Sequence, residues 1–442
     1  MVQFNLSDFN SIHRVLHWRR LLWRSQYFPR AEQDALQWSL LSTLLDHCFA
    51  EVPGYRECWR RLGLCREDFR SAADIVRFPV ISKKDVRTDP QSFRSNRFAS
   101  YRPKPMRTTG TTGSPLEVYW DSGSNAMELA AQWRHYSWFG YRLGTPFLDI
   151  RFHKHRPSGR WAWNWKCRGL ETCIRLWDDS NAEELARELK RRGVRLWRGH
   201  PTAVYELCRL FERRGITQPK PSCIITVGHL LLDYERDFMQ KWAGVTVGDS
   251  YGLTEHTALI CRCPAGSYHI APEYGLIEIL REDDSTAAPG EEGRIVSTGL
   301  HNMAFPLIRY DTGDRAVASA EVCSCGRTLP VVRELAGRND DRLIDRNGRR
   351  IASLHRMFKY SDGVRCSQIV QNEAGVIEAY VVPADGFSDR DGSRIIAEFK
   401  RELGDDMKVR LHVVQELPFP PEGKFKFAVN RMKTAGTTSL QI

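Results

Sequence analysis

Helical and strand patterns alternate along the middle of this 442-residue chain. The helical pattern NAEELARELKRRG (181–193) is followed by the apolar run CIITVG (223–228) and by a second helical pattern, ERDFMQKWAG (235–244). An aromatic-rich helical pattern, MELAAQWRHYSWFGY (127–141), precedes them. Elements that alternate in this way predict a layered α/β fold.

Beyond residue 270 the pattern becomes β-rich, with short strand patterns separated by turn residues. The polar stretch GRNDDR (337–342) is typical of a linker, and a further helix and several strand patterns follow it. We therefore predict a large domain over 1–337, made of α/β subdomains and a β-rich subdomain. A small, mobile α+β domain is predicted over 338–442.

The charge balance and hydropathy exclude several classes of protein. The 65 basic and 54 acidic residues leave a net charge of +11, but the basic residues are dispersed and no nucleic-acid recognition motif accompanies them. No apolar run is long enough to cross a bilayer, and the N-terminus lacks the apolar core of a secretion signal. We expect a cytoplasmic protein with a small-molecule partner, no nucleic acid and no membrane span. A homodimer is left open.

The stretch RTTGTTGSP (107–115) concentrates hydroxyl groups and glycines at one point. It is not a P-loop, because Gly110 and Gly113 are too close together and no lysine follows Gly113. Successive glycines nevertheless let backbone N–H groups converge on an anion, and threonine hydroxyls donate further hydrogen bonds. From the residues alone, a phosphate-binding loop and a mobile surface turn are both open.

Other glycine turns follow this loop in a fixed order: YGLTE (251–255), RYDTGD (309–314), GRNDD (337–341) and PEGK (421–424). In this order the motifs resemble those of the adenylate-forming superfamily of acyl-CoA synthetases and adenylation domains. The N-terminal stretches VPGYRECW (52–59) and FPVISKKDV (78–86) resemble its phenylacetate–CoA ligase and CapK-like branch in particular.

The resemblance implies an ATP-dependent, AMP-forming ligase that uses Mg²⁺. Such an enzyme converts a carboxylic acid, here an aryl or small organic acid, into acyl-AMP with release of pyrophosphate. The acyl group then passes to an acceptor. Two alternatives stay open: a CoA ligase of the phenylacetate type, and a catalytically silent, basic, zinc-stabilised binding protein with the same fold.

The resemblance also implies roles for the nucleotide-binding residues. The threonine loop would hold the β- and γ-phosphates, Tyr251 would lie against the adenine with Asp249 near its exocyclic amine, and Asp314 would accept hydrogen bonds from the ribose hydroxyls. The nucleotide-binding set that it implies is Thr108, Thr109, Gly110, Thr111, Thr112, Gly113, Asp249, Tyr251, Gly252, Thr254 and Asp314.

Four further residues carry the chemistry that the resemblance implies. Glu255 would hold Mg²⁺ through a carboxylate oxygen. Arg338 would bind the ribose and phosphate side, and Asp340 would be the hinge of the small domain. Lys424 would meet the α-phosphate and the carboxylate, where a cation stabilises the developing negative charge. A solvated surface lysine is the alternative for Lys424.

The acid-binding residues are less well defined by the sequence. Tyr136 and Trp138, on the aromatic helix, are candidates for the acyl pocket, although such an aromatic stripe is more often core. His200 and Gly228 are further candidates. His229 stands where members of the family usually carry glutamate.

Two C-x-C stretches, CRCPAGSYH (261–269) and CSCGR (323–327), indicate a possible tetrahedral metal site. The residues alone do not decide between Cys261 and Cys263. The resemblance implies a structural Zn²⁺ held by Cys263, His269, Cys323 and Cys325. The alternative is a set of reduced thiols that hold no metal.

The acceptor is the least determined part of the reaction. The stretch NGRRIASLHRMFKYSDGVRCSQIVQ (347–371) lacks the motif that follows the hinge in phenylacetate–CoA ligases and looks more like the CapK-like group. Of an amine, a hydroxyl, a carrier-protein thiol and CoA, we therefore expect one of the first three to be preferred.

Overall fold

The computed structural model describes most of the chain. The described residues are 12–108, 116–151, 159–165, 167–338, 343–344, 346, 350–351, 364–384, 386–417 and 428–432.

The described residues contain nine α-helices. Their bounds are α1 (Ile12–Ser25), α2 (Arg30–Glu51), α3 (Pro53–Leu62), α4 (Lys83–Thr88), α5 (Ser122–Ser137), α6 (Ala182–Arg191), α7 (Pro201–Arg213), α8 (Asp233–Ala243) and α9 (Asp389–Leu403). Short 3-10 helices lie at Arg66–Asp68, Ala72–Arg77, Phe98–Tyr101 and Ile174–Leu176.

The described strands form one large sheet and three smaller ones. Their bounds are β1 (Lys104–Arg107), β2 (Glu117–Trp120), β3 (Phe147–Arg151), β4 (Trp161–Asn164), β5 (Gly169–Cys173), β6 (Leu196–Gly199), β7 (Cys223–Val227), β8 (Val247–Gly252), β9 (Leu259–Arg262), β10 (Tyr268–Ile270), β11 (Gly275–Leu280), β12 (Glu292–Gly299), β13 (Tyr310–Ala318), β14 (Val331–Arg338), β15 (Leu343–Ile344), β16 (Arg350–Ile351), β17 (Val364–Glu373), β18 (Val376–Pro383), β19 (Lys408–Val413) and β20 (Ala428–Asn430).

The large sheet has twelve strands in the order β11-β12-β13-β14-β10-β9-β8-β7-β6-β3-β5-β4. Strands β5, β3, β6, β7 and β8 are parallel to their neighbours within this group. From β8 to β11 every pairing is antiparallel. The predicted α/β fold is confirmed, and β8 is the strand that belongs to both halves of the sheet.

Helices cover both faces of the parallel half, as its alternating side chains require. Leu148 and Trp197 point to the face covered by α7 and α8, where they join the largest core cluster. Leu196 and Ile225 point to the opposite face and pack with Tyr136 of α5. The side chains that follow along the same strands must therefore alternate between these two faces up to the strand ends.

Local sequence signals set the boundaries of the N-terminal helices. Pro53 occupies the first turn of α3, where a missing N–H costs no hydrogen bond, and thereby separates α3 from α2. The Ser82 side chain caps α4 by accepting a hydrogen bond from the Asp85 backbone N–H, as the sequence predicts. Helix α5 begins at Ser122, five residues before the predicted helix, because Asp121 caps it through the N–H of Ser124.

The small sheet of the C-terminal region has the order β19-β18-β17-β20 and is packed against α9. It also contacts the large domain, since the hydroxyl of Tyr205 on α7 donates to the backbone oxygen of Val364, 3.4 Å away. Strand β14 extends to Arg338, and residues 339–342 lie outside the described residues. The boundary at 337/338 stays a prediction.

Among the described residues, no helix combines the length and apolar character that crossing a bilayer requires.

Candidate functional site

The parallel strands end together at one edge of the large sheet. Strands β3, β6, β7 and β8 run in the same direction and end at Arg151, Gly199, Val227 and Gly252. Ligands of open α/β sheets bind at the carboxyl ends of such strands. The predicted residues Tyr251, His200 and Gly228 all lie at or directly after these ends, although they are far apart in the sequence.

Two of the predicted motifs are joined by a pair of similar hydrogen bonds. The Tyr251 hydroxyl donates to Oδ2 of Asp314 at 2.9 Å, and the Tyr310 hydroxyl donates to Oε1 of Glu255 at 2.8 Å. Each motif thus supplies one tyrosine donor and one carboxylate acceptor. Since three strands separate β8 from β13 in the sheet order, the antiparallel half must curl back for these side chains to meet.

The environment of Tyr251 and Asp314 keeps this link in one protonation state. Burial raises the pKa of Tyr251 well above its usual value, and the neighbouring Asp314 carboxylate raises it further. The hydroxyl therefore remains a donor at neutral pH. Gly313, with φ of +74°, makes the turn before Asp314, and Asp314 N–H donates to Thr312 Oγ1 at 3.1 Å.

Glu255 is 8% exposed and lies in the turn that follows β8. Its Oε1 accepts from Tyr310, whereas its Oε2 has no hydrogen bond to any of the described residues. An oxygen of this kind, on a carboxylate fixed through its other oxygen, fits a hard divalent cation. The predicted Mg²⁺ role is consistent with this geometry and stays a prediction.

Asp249 is more enclosed than its predicted role would require, at 3% exposure. Its Oδ1 accepts from the Thr226 hydroxyl at 2.6 Å and its Oδ2 from the Tyr268 hydroxyl at 3.0 Å. Burial raises the pKa of Asp249 to about 6, although these two hydrogen bonds oppose the shift. Both oxygens of Asp249 thus already accept hydrogen bonds from side chains of other strands, Thr226 on β7 and Tyr268 on β10. The contact between Asp249 and the adenine amine stays a prediction.

The described residues on either side of the threonine loop form a two-stranded antiparallel hairpin, β1 and β2. Thr108 and Leu116 close its neck, since Thr108 N–H donates to Leu116 O and Leu116 N–H donates to Thr108 Oγ1, both at 2.9 Å. At the base of the hairpin, Trp120 Nε1 donates to the backbone oxygen of Thr254 at 2.6 Å. The hairpin is therefore fixed beside the YGLTE motif.

Several predicted residues are not placed by the structure. Thr109, Gly110, Thr111, Thr112, Gly113, Asp340 and Lys424 lie outside the described residues. The backbone of Arg338 is opposite Asp314 in the β13–β14 pairing, but its side chain is not described.

The other side of the same edge holds a pair of histidines. His200 follows β6 and His229 follows β7, and their rings stack with centroids 4.4 Å apart. Gly228 has φ of +87°, and a Cβ there would lie 3.4 Å from the His200 ring. A side chain at 228 would therefore be strained by the positive φ, which explains the glycine.

Next to this pair lies a cluster of charged side chains that sequence reasoning missed. Asp149 on β3 and Arg198 on β6 are register partners, and Arg151 ends β3. The signal available in the sequence was a charged residue inside each of two short apolar strands, FLDIR and LWRG. Buried charged residues of this kind often mark functional sites.

The two aromatic candidates on α5 lie in different places. Tyr136 faces the sheet, 6.0 Å from the Arg198 guanidinium carbon measured to the ring centroid. Trp138 points away from the strand ends, where its Nε1 donates to Gln26 Oε1 at 2.8 Å and its ring packs against His269. Trp138 therefore lies beside the cysteine cluster, and its placement in the acyl pocket stays a prediction.

The four predicted zinc ligands come together. The ligand atoms of Cys263, His269, Cys323 and Cys325 all lie within 4.8 Å of one another, and Cys261 is not among them. The sulfurs of Cys263 and Cys323 are 3.6 Å apart, and Cys325 Sγ is 3.3 Å from His269 Nε2. Three thiols and one imidazole match the donor set of a closed, structural zinc site.

Contacts around the cluster indicate what such a site would stabilise. With its proton on Nδ1, His269 donates to the Leu329 backbone oxygen at 3.2 Å, which directs Nε2 towards the sulfurs. Thr328, in the same loop, donates its N–H to the Gln26 backbone oxygen at 3.0 Å. Gln26 follows α1 and also receives the Trp138 hydrogen bond. The loop therefore joins α1, α5 and the antiparallel half of the sheet.

Comparison with known proteins supplies relatives over most of the chain. Residues 343–431 match the family model of the CapK C-terminal domain. The chain is 26% identical over 332 residues to a phenylacetate-coenzyme A ligase of Thermus thermophilus, which covers 72% of this chain and 73% of the relative. It is 23% identical over 385 residues to the protein CapK of Staphylococcus aureus, with 82% of each chain covered.

Solved structures support the same relationship at the level of the fold. A 2-hydroxyisobutyryl-CoA ligase in the postadenylation state superposes with a TM-score of 0.72, at 16% identity and over 92% of each chain. The predicted fold and the predicted relationship to this branch are confirmed.

Proposed function

We propose that this chain, a homologue of the phenylacetate–CoA ligases and of CapK, is an AMP-forming ligase that activates a carboxylic acid as acyl-AMP. The observation that carries the proposal is the reciprocal pair of hydrogen bonds, Tyr251 to Asp314 and Tyr310 to Glu255. It brings two carboxylates from different motifs to the edge where the parallel strands end. Carboxylates suit the two needs of bound ATP, which are ribose hydroxyl acceptors and a cation ligand.

In this proposal, ATP and the acid bind on opposite sides of the edge where the parallel strands end. Asp314, oriented by Tyr251, accepts hydrogen bonds from the ribose hydroxyls through its carboxylate. The acid enters on the other side, near His200 and Gly228, so that its carboxylate approaches the α-phosphate between the two sides. Positioning of the two reactants supplies much of the rate enhancement.

Two groups neutralise the charge that develops on the α-phosphate. Glu255 is the residue that fits Mg²⁺, which supplies Lewis-acid stabilisation of the phosphate oxygens when bound. Lys424, on the small domain, is proposed to meet the α-phosphate and the carboxylate. Pyrophosphate then leaves with its share of the negative charge, and the mixed anhydride of the acid and AMP stays in the closed site.

Two observations bear on the acceptor and favour different outcomes. The phenylacetate–CoA ligase relatives favour CoA. The C-terminal region, in contrast, matches the CapK domain. Because the small domain of such enzymes contributes to the acceptor site, we propose an acceptor other than CoA: an amine, a hydroxyl or a carrier-protein thiol. Incubation with ATP, acid and CoA tests this directly, and rapid stoichiometric acyl-CoA formation, seen by mass spectrometry, would contradict it.

The activation step can be tested without knowing the acceptor. Acid-dependent exchange of labelled pyrophosphate into ATP, with hydroxylamine trapping of acyl-AMP as the hydroxamate, reports acid activation alone. We expect exchange in the wild type and at least about 10²-fold slower exchange in Asp314→Asn, because a charge-assisted acceptor is lost. Asp283→Asn, in an exposed turn, is the matched control. Equal rates in Asp314→Asn and the control would refute the assignment of the nucleotide site.

A further inference from the structure

Arg198 is a buried cation whose donors are largely unused. It is 9% exposed, and among the described residues it donates no hydrogen bond within ordinary distance. Its Nε is fully enclosed without a partner. Its nearest carboxylate oxygen is Oδ2 of Asp149, 3.8 Å from Nη1, which is an ion-pair distance but too long for a hydrogen bond.

Asp149 does not satisfy Arg198, because it lies too far from Arg198 for a hydrogen bond and binds Arg151 instead. Arg151 binds both of its oxygens, with Nε 3.0 Å from Oδ1 and Nη2 2.7 Å from Oδ2. Burial by itself raises the pKa of Asp149, but the guanidiniums of Arg151 and Arg198 hold it well below its usual range. One carboxylate therefore faces two guanidiniums, and the second of these carries an unsatisfied positive charge.

The other neighbours of Arg198 do not supply an acceptor either. The Tyr136 ring lies beside it, but the Tyr136 hydroxyl donates to Gln132 Oε1 at 3.0 Å. Glu128, another carboxylate whose charge acts on Arg198, accepts from Gln132 and from the Tyr274 hydroxyl. These half-buried polar groups continue from Arg198 along α5. The side of α5 near Arg198 therefore carries polar groups as well as aromatic rings.

A buried guanidinium without acceptors is costly, because it has lost the hydrogen bonds that water would provide. A ligand carboxylate would restore them, since the planar fork of arginine matches two carboxylate oxygens. Arg198 also lies two residues before His200, at the edge where the acid is proposed to enter.

On this geometry we propose that Arg198 binds a second carboxylate of the acid substrate. The substrate class is then a short dicarboxylic acid: one carboxylate becomes the acyl-AMP, and the other is held by Arg198. This inference rests on the proposed function, and it replaces the aryl acid that the aromatic helix suggested.

The test compares acids of equal chain length. Succinate and glutarate are paired with butyrate and valerate, and phenylacetate and benzoate represent aryl acids. Pyrophosphate exchange is measured with the wild type, Arg198→Met and Arg198→Lys. Arg209→Met is the matched control, because the Arg209 side chain is as enclosed as that of Arg198 but lies on α7.

We expect a dicarboxylate to be the best acid for the wild type and for Arg209→Met. In Arg198→Met, kcat/KM for that dicarboxylate should fall by about 10- to 100-fold, as expected for a lost hydrogen-bonded charge, with little change for the matched monocarboxylate. Arg198→Lys keeps the charge but loses the bidentate geometry, so it should be intermediate. A wild type that prefers aryl or alkyl acids, or an Arg198→Met variant that keeps the dicarboxylate preference, would overturn the inference and leave the proposed function intact.

Binding is also measured without turnover, from the melting temperature with each acid. If no acid supports exchange, the proposed function fails. The inference then stands only if dicarboxylates raise the melting temperature of the wild type but not that of Arg198→Met, and it falls if neither protein responds.

Discussion

Removal of the metal from the cluster of Cys263, His269, Cys323 and Cys325 should lower the stability of the large domain. Two distances between the ligand atoms are already close to those of a zinc tetrahedron. With Zn–S bonds of about 2.3 Å and a Zn–N bond of about 2.05 Å, such a tetrahedron places two sulfurs about 3.8 Å apart and a sulfur about 3.6 Å from a nitrogen. The corresponding distances here are 3.6 Å and 3.3 Å. Little rearrangement is therefore needed to bind the ion, and we expect one zinc per chain.

The size of the effect follows from the loop that the metal closes. Cys263 and Cys323 are 60 positions apart in the chain. A cross-link over a loop of this length removes about 14 cal/mol/K of entropy from the unfolded chain, or about 4 kcal/mol at 25 °C. For roughly 330 residues that unfold together, the unfolding entropy is about 0.7 kcal/mol/K, so this loss lowers the melting temperature by about 6 °C.

The assay combines elemental analysis with thermal unfolding. Cys323→Ser should lose the zinc and melt about 6 °C lower, whereas Cys261→Ala, two residues from a ligand but outside the cluster, should keep its zinc. Acyl-AMP formation below the melting transition should persist in Cys323→Ser, because the cluster contacts α1 and α5 rather than the strand ends. Wild-type protein that is purified without chelator and contains no zinc would refute the reasoning, as would an unchanged melting temperature after the metal is lost.

Three further predictions concern the catalytic lysine, the nucleotide site and pH. Lys424→Ala should reduce acyl-AMP formation by about 10²-fold or more without a change in melting temperature. The control is Lys408→Ala, an exposed lysine in the same domain. Equal activity in the two variants would count against the role of Lys424. Tyr251→Phe should raise the KM for ATP by about tenfold, because Asp314 loses its orienting donor. Tyr27→Phe, at an exposed tyrosine, serves as the control. An unchanged KM in Tyr251→Phe would argue against the ribose site. Burial raises the pKa of Glu235 from 4.5 to about 8, so the folded state holds its proton more tightly than the unfolded state does. The stability that this provides is present at low pH and is lost as the pH rises from about 4.5 to about 8. Glu235→Gln should flatten that part of the stability profile measured by urea unfolding, and an unchanged slope would contradict the assignment.

The features that sequence reasoning anticipated depend on short-range signals. The cap at Ser82, the break at Pro53 and the order of the α/β elements all follow from a few neighbouring residues. The four ligands of the cysteine cluster could also be predicted from the sequence, because the resemblance to the family favours Cys263 over Cys261.

The hydrogen bonds at the centre of the site could not be anticipated in the same way. Tyr251 and Asp314 are 63 positions apart in the chain, and they meet only because the antiparallel half of the sheet curls back. The motifs identified both residues as important, but neither pattern indicates that one orients the other.

Arg198 was missed for a related reason. It comes next to Asp149 through the register of two parallel strands, β3 and β6, which are separated in the sequence by two further strands and a helix. Trp138 illustrates a different limit of sequence patterns. An aromatic stripe predicts that a helix is buried, but α5 is covered on more than one side, and the pattern does not say which neighbour each ring will meet.

The position of β8 has a consequence for how such an enzyme changes during evolution. Residues at the ends of β3, β6 and β7 contact the acid in our proposal, whereas those on the far side of β8 contact the nucleotide. Substitutions among the first group can alter which acid is accepted without moving Tyr251, Glu255 or Asp314, because no strand order or pairing has to change. Substitutions that change the accepted acid are therefore expected at positions such as 149, 151 and 198, whereas residues of the nucleotide half should change slowly. Directed evolution towards new acids should begin at the same three positions.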